Sequence, residues 1–323
     1  MGLKITKKGV FFTASAIFIL SLLLTYALSL SQVSDNRVSL SLSTRLSSIN
    51  QFVDNVETDA SIAAYTVGFR TLVAMIQTVE DKGVYLESVN ANAKELFLNG
   101  TLNGTSSSIL VNNTFTDWLQ RIDQKAQTLG VDFSYEVQDV TISQTDPWNV
   151  DFEIDVNLLF VDATTKSQWN RSVQRISKVS IEGFSDPIYI IGTANQYVTS
   201  INQSPYLGNF VSGNNPANLN AHIQDGLYVQ FDDAPNYLMR LQGNFSASND
   251  GTGIESLVDK TALAFLMPID ATKSSVDYIY FSSQNPTSYG FTIMTPTFRL
   301  DNRTNGSGSV RHIALYQLTG FVG

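Results

Sequence analysis

From Val10 to Leu30 the chain runs 21 residues without a charged side chain, rich in Phe, Ile, Leu and Ala. At the α-helical rise such a run covers roughly 30 Å, the hydrocarbon thickness of a bilayer. Lys4, Lys7 and Lys8 precede it, and Asp35 and Arg37 follow. The positive-inside rule then keeps the N-terminus in the cytoplasm and delivers everything after Leu30 to the outside of the cell membrane. A cleaved secretory signal has a shorter apolar region ending in a small-x-small site. Ala27-Leu28-Ser29 supplies such a site, but the run is longer than that region requires. An uncleaved single-pass anchor fits every residue.

A sharper reading comes from the junction itself. Lys7-Lys8-Gly9, followed at once by Val10-Phe11-Phe12-Thr13, resembles the class III leader of type IV pilins and their archaeal relatives. The resemblance implies cleavage by a membrane peptidase after Gly9, with Lys8, Gly9 and Val10 as the processing residues. It also implies that the apolar segment becomes the core helix of a filament. Ala14 stands where the family favours Glu in its processed chain. That departure points to a minor or tip subunit rather than a major one. "APNYLMRLQGN", "GIESLVD" and "SVDYIYF" further resemble segments of membrane-anchored archaeal surface proteins, which supports a surface location and implies no activity.

Beyond the run, Val38, Leu42, Leu46, Ile49, Val53, Val56, Ala60, Ala63 and Val67 recur in steps of three and four, close to the 3.5-residue period of a packing seam. Leu72, Val73, Ile76 and Val79 extend it until Lys82-Gly83, Gly being a good helix-ending residue. A self-associating stalk and a helix laid on a sheet both satisfy this pattern. Residues 86–98 and 114–129 read as shorter helices, the second carrying Trp118, Leu119 and Ile122. In 150–160 the period changes to two: Val150, Phe152, Ile154, Val156, Leu158 and Phe160 alternate with mostly polar partners, a half-buried strand. Strands near 132–143, 171–182 and 187–192 are expected to flank it as an antiparallel meander, the connections being too short for parallel crossovers.

After a Gly- and Asn-rich bridge near residue 200, short β-type runs are separated by turns. The last two, "YGFTIMTPTFRL" and "SVRHIALYQL", read as a closing hairpin, and "GIESLVD" at 253–259 as one or two helical turns. The expected fold is therefore α+β. It comprises a leader at 1–9, a transmembrane helix at 10–30, a long amphipathic helix at 31–83, an α+β domain with an antiparallel sheet at 84–200, and a β-rich distal domain at 201–323.

Composition narrows the chemistry. After residue 30 there are 17 basic and 29 acidic residues, a surface that repels nucleic acid because clustered cations for phosphate neutralisation are missing. The chain has no cysteine, which excludes disulfides, thiol catalysis and thiolate metal sites. Asn-x-Ser/Thr sequons at Asn99, Asn103, Asn112, Asn170, Asn202, Asn244, Asn302 and Asn305 are candidates for N-glycosylation of an exported domain. His222 and His312 have no neighbouring ligand or triad spacing and are expected on the surface or in strands. Asp232, Asp233, Asp250 and Glu255 could offer oxygen ligands to calcium, although EF-hand spacing fails at Leu257. Asp151, Glu153 and Asp155 are expected to be solvated on a wet strand face. Trp118, Trp148 and Trp169 fit core or sheet packing better than a sugar-stacking platform.

These features predict a non-enzymatic, single-pass surface protein acting structurally or in adhesion. Its expected partners are membrane lipid, further copies or other pilin-like subunits meeting through the long helix, and a surface or glycan ligand. The alternatives are a membrane-anchored carbohydrate-binding module that does not polymerise, and an extracellular hydrolase using paired carboxylates.

Overall fold

The computed structural model describes residues 7–248, 250–302 and 311–323, with side chains placed for 17–28 and, from 41 onward, throughout those ranges. Two compact units divide the chain, one up to Glu57 and one from Thr58. A single helix, α1 (Lys7–Lys82), contributes to both.

In the first unit Ile17–Leu28 is apolar and helical, and its large side chains, from Ile17 and Phe18 to Tyr26 and Leu28, are exposed. Two hydroxyls in this stretch bond inside the helix: Ser21 donates to the Phe18 carbonyl and Thr25 to that of Ser21. Hydroxyls satisfied by their own helix need no water. Among the described residues one stretch, Ser41–Lys82, is long and apolar enough to cross a membrane, and half of its most apolar part is buried inside the protein; Ile17–Leu28 is shorter. Ile49, Val53 and Val56 of the expected seam are buried, whereas Leu42 is exposed; the side chain of Val38 lies outside the described residues.

In the second unit α1 carries Ala60, Ala63, Ala64, Val67, Leu72, Met75 and Val79 on its buried side. Gly83, with φ +65°, closes it by donating its N–H to the Val79 carbonyl. The unit continues with α2 (Val89–Asn99), a small ladder of β1 (Thr101–Leu102) and β2 (Thr105–Ser106), and α3 (Phe115–Thr128). Thr114 starts α3 with a capping box: its hydroxyl accepts from the Asp117 N–H, and the Asp117 carboxylate accepts from the Thr114 N–H. The meander follows as β3 (Val131–Asp146), β4 (Asn149–Asp162) and β5 (Gln168–Ser180), antiparallel in the order β3-β4-β5. In register, Ile142 faces Phe152, which faces Ser177.

The even-numbered residues of β4, from Val150 to Phe160, are completely buried. Phe152 is the point of closest approach to α1: a Cβ on Gly68 would sit 2.7 Å from its ring. The small residues Ala60, Ala63, Ala64 and Gly68 thus let the helix lie directly on the sheet. Ser177 Oγ bonds the Ser61 carbonyl at 3.1 Å, and Trp118 Nε1 donates to Asp59 at 2.8 Å. Trp118, Phe115, Phe97 and Phe152 form a run of stacked rings. On the other side of β4, Glu153 is exposed and Asp155 half-buried. Asp151 is not solvated as expected, being 3% exposed; Thr145 donates to it and Lys178 lies 3.1 Å away, covering it.

The next segments depart from expectation. The strand anticipated at 187–192 is a short helix, α4 (Pro187–Gly192), because Asp186 caps it through the Ile188 N–H and Pro187 pre-sets its first turn. Then come α5 (Ala217–Gln224), β6 (Tyr228–Gln230), α6 (Tyr237–Leu241), β7 (Ile254–Ser256), α7 (Lys260–Leu263), α8 (Asp277–Tyr280), β8 (Ser288–Tyr289), β9 (Leu300–Asp301) and α9 (His312–Leu315). The distal region is therefore not β-rich: its strands are two or three residues long and pair only as β6–β7 and β8–β9. "NYLMRL" and "SVDYIYF" hold helices α6 and α8. Asn236 caps the first, accepting from the Met239 N–H, and Ser274–Tyr280 is buried without any alternation. "GIESLVD" is strand rather than helix, since Gly253 threads between the Phe231 and Ala234 carbonyls where no Cβ fits. The closing hairpin is replaced by α9 and a single β8–β9 ladder. Residues before and after position 200 share one core, in which Ile188 packs with Phe210, Val229, Tyr278 and Tyr316.

Candidate functional site

Two charge clusters hold the short distal elements together, and β7 joins them. Arg240, on α6, is fully buried. Its Nη1 reaches Asp186 Oδ2 at 2.6 Å and Asp277 Oδ2 at 2.9 Å, and its Nη2 donates to the Ile254 carbonyl. The Tyr228 hydroxyl donates to Asp186, and Ser256 donates both N–H and Oγ to Asp277. Burial pushes the Asp186 carboxyl above the usual range, although Arg240 pulls the other way. In Arg240 burial acts to lower the pKa and is outweighed by Asp186 and Asp277, so the guanidinium stays charged.

One residue along β7, Glu255 faces the other cluster. His312 Nε2 lies 3.1 Å from Glu255 Oε2, and its Nδ1 lies 3.1 Å from Asp301 Oδ2. The Tyr316 hydroxyl donates to Glu255, Ser274 donates to Asp301, and the Tyr278 hydroxyl sits 3.2 Å from His312 Nε2. Burial alone would lower the His312 pKa, but Glu255 and Asp301 raise it to about 10. Both histidines are thus interior, contrary to expectation: His222 bonds Ser204 at 2.9 Å, and burial drops its pKa to about 3. A carboxylate–imidazole–carboxylate row is capable of proton transfer. Here Glu255 and Asp301 are completely buried and none of the row lines the cleft described next; the row clamps β7, β9 and α9 together. Glu255 is committed to His312 and Tyr316, away from the calcium ligands expected beside it. Among the described residues no three His, Asp or Glu side chains converge to hold a metal ion.

An open cleft lies elsewhere in the same unit. A cleft of about 580 Å³ is bounded by α1, the turn at 108–109 and the segment 182–185. Its apolar lining comes from Phe69, Val73 and Ile76 of α1 together with Ile109 and Phe184, and Phe69 meets Phe184 edge to face at 5.4 Å. Glu80 and Glu182 also line it, with Gln77, Ser108 and Ser185, and no Lys or Arg does. Segment 183–186 pairs antiparallel with 199–201: Gly183 donates to the Ile201 carbonyl, Ile201 to that of Phe184, and Asp186 to that of Thr199. Ser185 therefore occupies a position opposite Ser200 whose own N–H and C=O point away from that partner.

Beside the cleft, α1 presents an apolar stripe to solvent. Ile62, Tyr65 and Phe69 are 61%, 47% and 43% exposed, at helical spacing on one face. Exposed Ile176 on β5 adjoins Ser177, which bonds α1 at Ser61.

The expected site residues are scattered rather than convergent. Lys8, Gly9 and Val10 fall within α1, but their side chains lie outside the described residues. Asn99, Asn103, Asn112, Asn170, Asn202 and Asn244 are exposed and Asn302 is half-buried; Asn305 lies outside the described residues. Asn103 and Asn112 sit in turns with positive φ, and Asn244 accepts from the Ser246 N–H and hydroxyl within its own sequon. Trp118 is committed to the core, and Trp148 and Trp169 are half-buried. The cleft escaped sequence reasoning because its walls come from three distant segments. Compared with family models, with characterised proteins and with solved structures, the chain matches none.

Proposed function

We propose that this is a single-pass surface protein of pilin-like design, with the N-terminus in the cytoplasm and the α+β unit outside, acting as a structural or adhesive subunit. The observation that carries this reading is the run Ile17–Leu28, a helix whose large apolar side chains are all turned outward and whose hydroxyls bond inward. Exposing that much contiguous apolar surface to water is unfavourable by roughly 25 cal/mol per Å², so a lipid or protein surrounding is its natural solvent. The leader Lys7-Lys8-Gly9 and the flanking lysines supply the orientation and the cleavage after Gly9.

Self-association through α1 belongs to the same reading. Ile62, Tyr65 and Phe69 form a second apolar face on a helix whose first face is already buried on the sheet. Such a face suits another subunit's helix. With Ala14 in place of the favoured Glu, the subunit takes a minor or tip position, leaving its distal region free to bind a surface or glycan.

The decisive experiment determines the N-terminal residue and intact mass of the native protein, separately from membranes and from sheared surface filaments. A chain beginning at Val10 and recovered with filaments supports the pilin-class reading. A chain that retains Lys4 to Gly9 and stays wholly in membranes removes the filament role and leaves a plain anchor. Recovery from the cytosol overturns the whole reading.

A further inference from the structure

We propose that the cleft beside α1 takes up an extended peptide by strand addition to Ser185, and that the guest alternates a basic with an apolar side chain. The inference shares Phe69 with the self-association face of the filament reading, but the two are tested separately, since processing at Gly9 and peptide uptake succeed or fail independently.

Three features of the cleft converge on this ligand. The first is the backbone. Ser185 sits opposite Ser200 in a pair whose bridging bonds are made by Phe184 and Asp186, so its N–H and C=O face the other side. Ser185 also lines the cleft and is half-buried. No hydrogen bond joins its N–H or C=O to another described residue. An incoming strand aligned with 183–186 would exchange both bonds with one guest residue, as in other β-augmented complexes.

The second feature is the floor. Phe69, Val73 and Phe184 offer a preformed apolar surface, and the Phe69–Phe184 edge-to-face contact fixes it. Because side chains on a strand alternate between faces, the guest sends every second residue onto this floor.

The third is charge. Natural edges are blunted by Lys, Pro or a covering element. Here the cleft carries Glu80 and Glu182 and no cation. Acidic edges repel acidic guests and attract Lys or Arg, whose long apolar stems suit the apolar wall. Against an outer region with 17 basic and 29 acidic residues, the same charges disfavour most segments of a second copy. The favoured occupant is therefore a basic segment of a different chain.

The test uses the full chain in phosphatidylcholine nanodiscs and fluorescence polarisation of a fluorescein-labelled hexapeptide alternating lysine and valine, with empty nanodiscs as blank. Saturable binding in roughly the micromolar range is expected, with no binding of the matching glutamate–valine peptide. Ser185→Pro removes the outward N–H without touching any bond to 199–201, and should weaken binding about tenfold or more. Reversing both charges, Glu80→Lys with Glu182→Lys, needs no backbone change and should transfer preference to the glutamate–valine peptide. Absence of saturable binding up to about 1 mM overturns the proposal. So does binding untouched by Ser185→Pro in a variant with wild-type near-UV circular dichroism, or a charge reversal that leaves preference unchanged. Competition by phenethylamine at concentrations equal to the peptide's would make the cleft a small-cation site and likewise refute strand addition.

Discussion

The His312 clamp gives the second unit an unusual stability curve against pH. His312 has a folded-state pKa of about 10 against 6.5 for the free side chain, raised by Glu255 and Asp301 against the opposing effect of burial. A raised pKa contributes stability that is fully present below pH 6.5 and is lost as pH climbs toward 10. While the folded form holds one proton that the unfolded form has released, the slope is about 1.4 kcal/mol per pH unit. Between pH 6.5 and 8 the loss is thus about 2 kcal/mol, or roughly 5 °C in midpoint for a unit of this size. Above pH 8 a second group intervenes. Burial lowers Lys260 from 10.5 to about 8, so its contribution to stability rises as pH passes from 8 toward 10.5 and offsets the continuing loss from His312. Below pH 6.5, His222, lowered by burial to about 3, makes stability fall as pH drops through that range. From pH 6.5 the expected curve descends to pH 8 and flattens beyond. The assay is thermal unfolding of the full chain in detergent micelles, followed by aromatic fluorescence at half-unit pH steps. His312→Gln should abolish the descent between pH 6.5 and 8, and Lys260→Met should extend the wild-type descent past pH 8. A wild-type protein with equal midpoints at pH 6.5 and 8, or a descent that persists in His312→Gln, refutes the reasoning.

Other outcomes follow from the same geometry. Arg240→Met leaves Asp186 and Asp277 buried without their cation and should cost about 3–5 kcal/mol at neutral pH; adding Asp186→Asn and Asp277→Asn should recover much of it, as urea titrations of the three proteins would show. Gly68→Leu drives a side chain into the Phe152 ring and should cost about 1–3 kcal/mol, with partial relief on adding Phe152→Leu, read as shifts in thermal midpoint. If Asn244 carries a glycan in the native protein, Asn244→Gln should lower the intact mass by one glycan while leaving the midpoint within about 0.5 kcal/mol of wild type, since the side chain is exposed; an unchanged mass removes that sequon from use.

Legibility in the sequence tracked the length of the element. In α1 the seam from Ile49 to Val79 repeats often enough for the helical period to stand out, and its residues are buried except Val73, which lines the cleft. β4 declared itself through six alternating apolar residues, and the helix at 115–128 through Trp118, Leu119 and Ile122. Distal helices of four or five residues complete barely one turn, so a period of 3.6 cannot be told from one of two. Ser274–Tyr280 is buried on every side and has no wet face to reveal a period at all. Aromatic and β-branched residues there mimicked strand propensity while serving an irregular core. The charge clusters were invisible for a different reason: Arg240 lies 54 residues from Asp186 and 37 from Asp277, and only the fold makes them neighbours. The Ser185 edge was hidden likewise, being defined by which way two backbone groups point.

Strand β7 has a consequence for how the chain is made. Glu255 is buried only when His312 and Tyr316 close over it, and those partners lie 57 and 61 residues further along. A ribosome builds them after the strand they cover. Until residues 312–316 have been synthesised and delivered, the polypeptide from 254 onward carries a carboxylate that prefers water to the place reserved for it. Closure of the distal region therefore waits until residues 312–316 have emerged. Until then the emerging chain stays open at this place, and α9 acts as the latch.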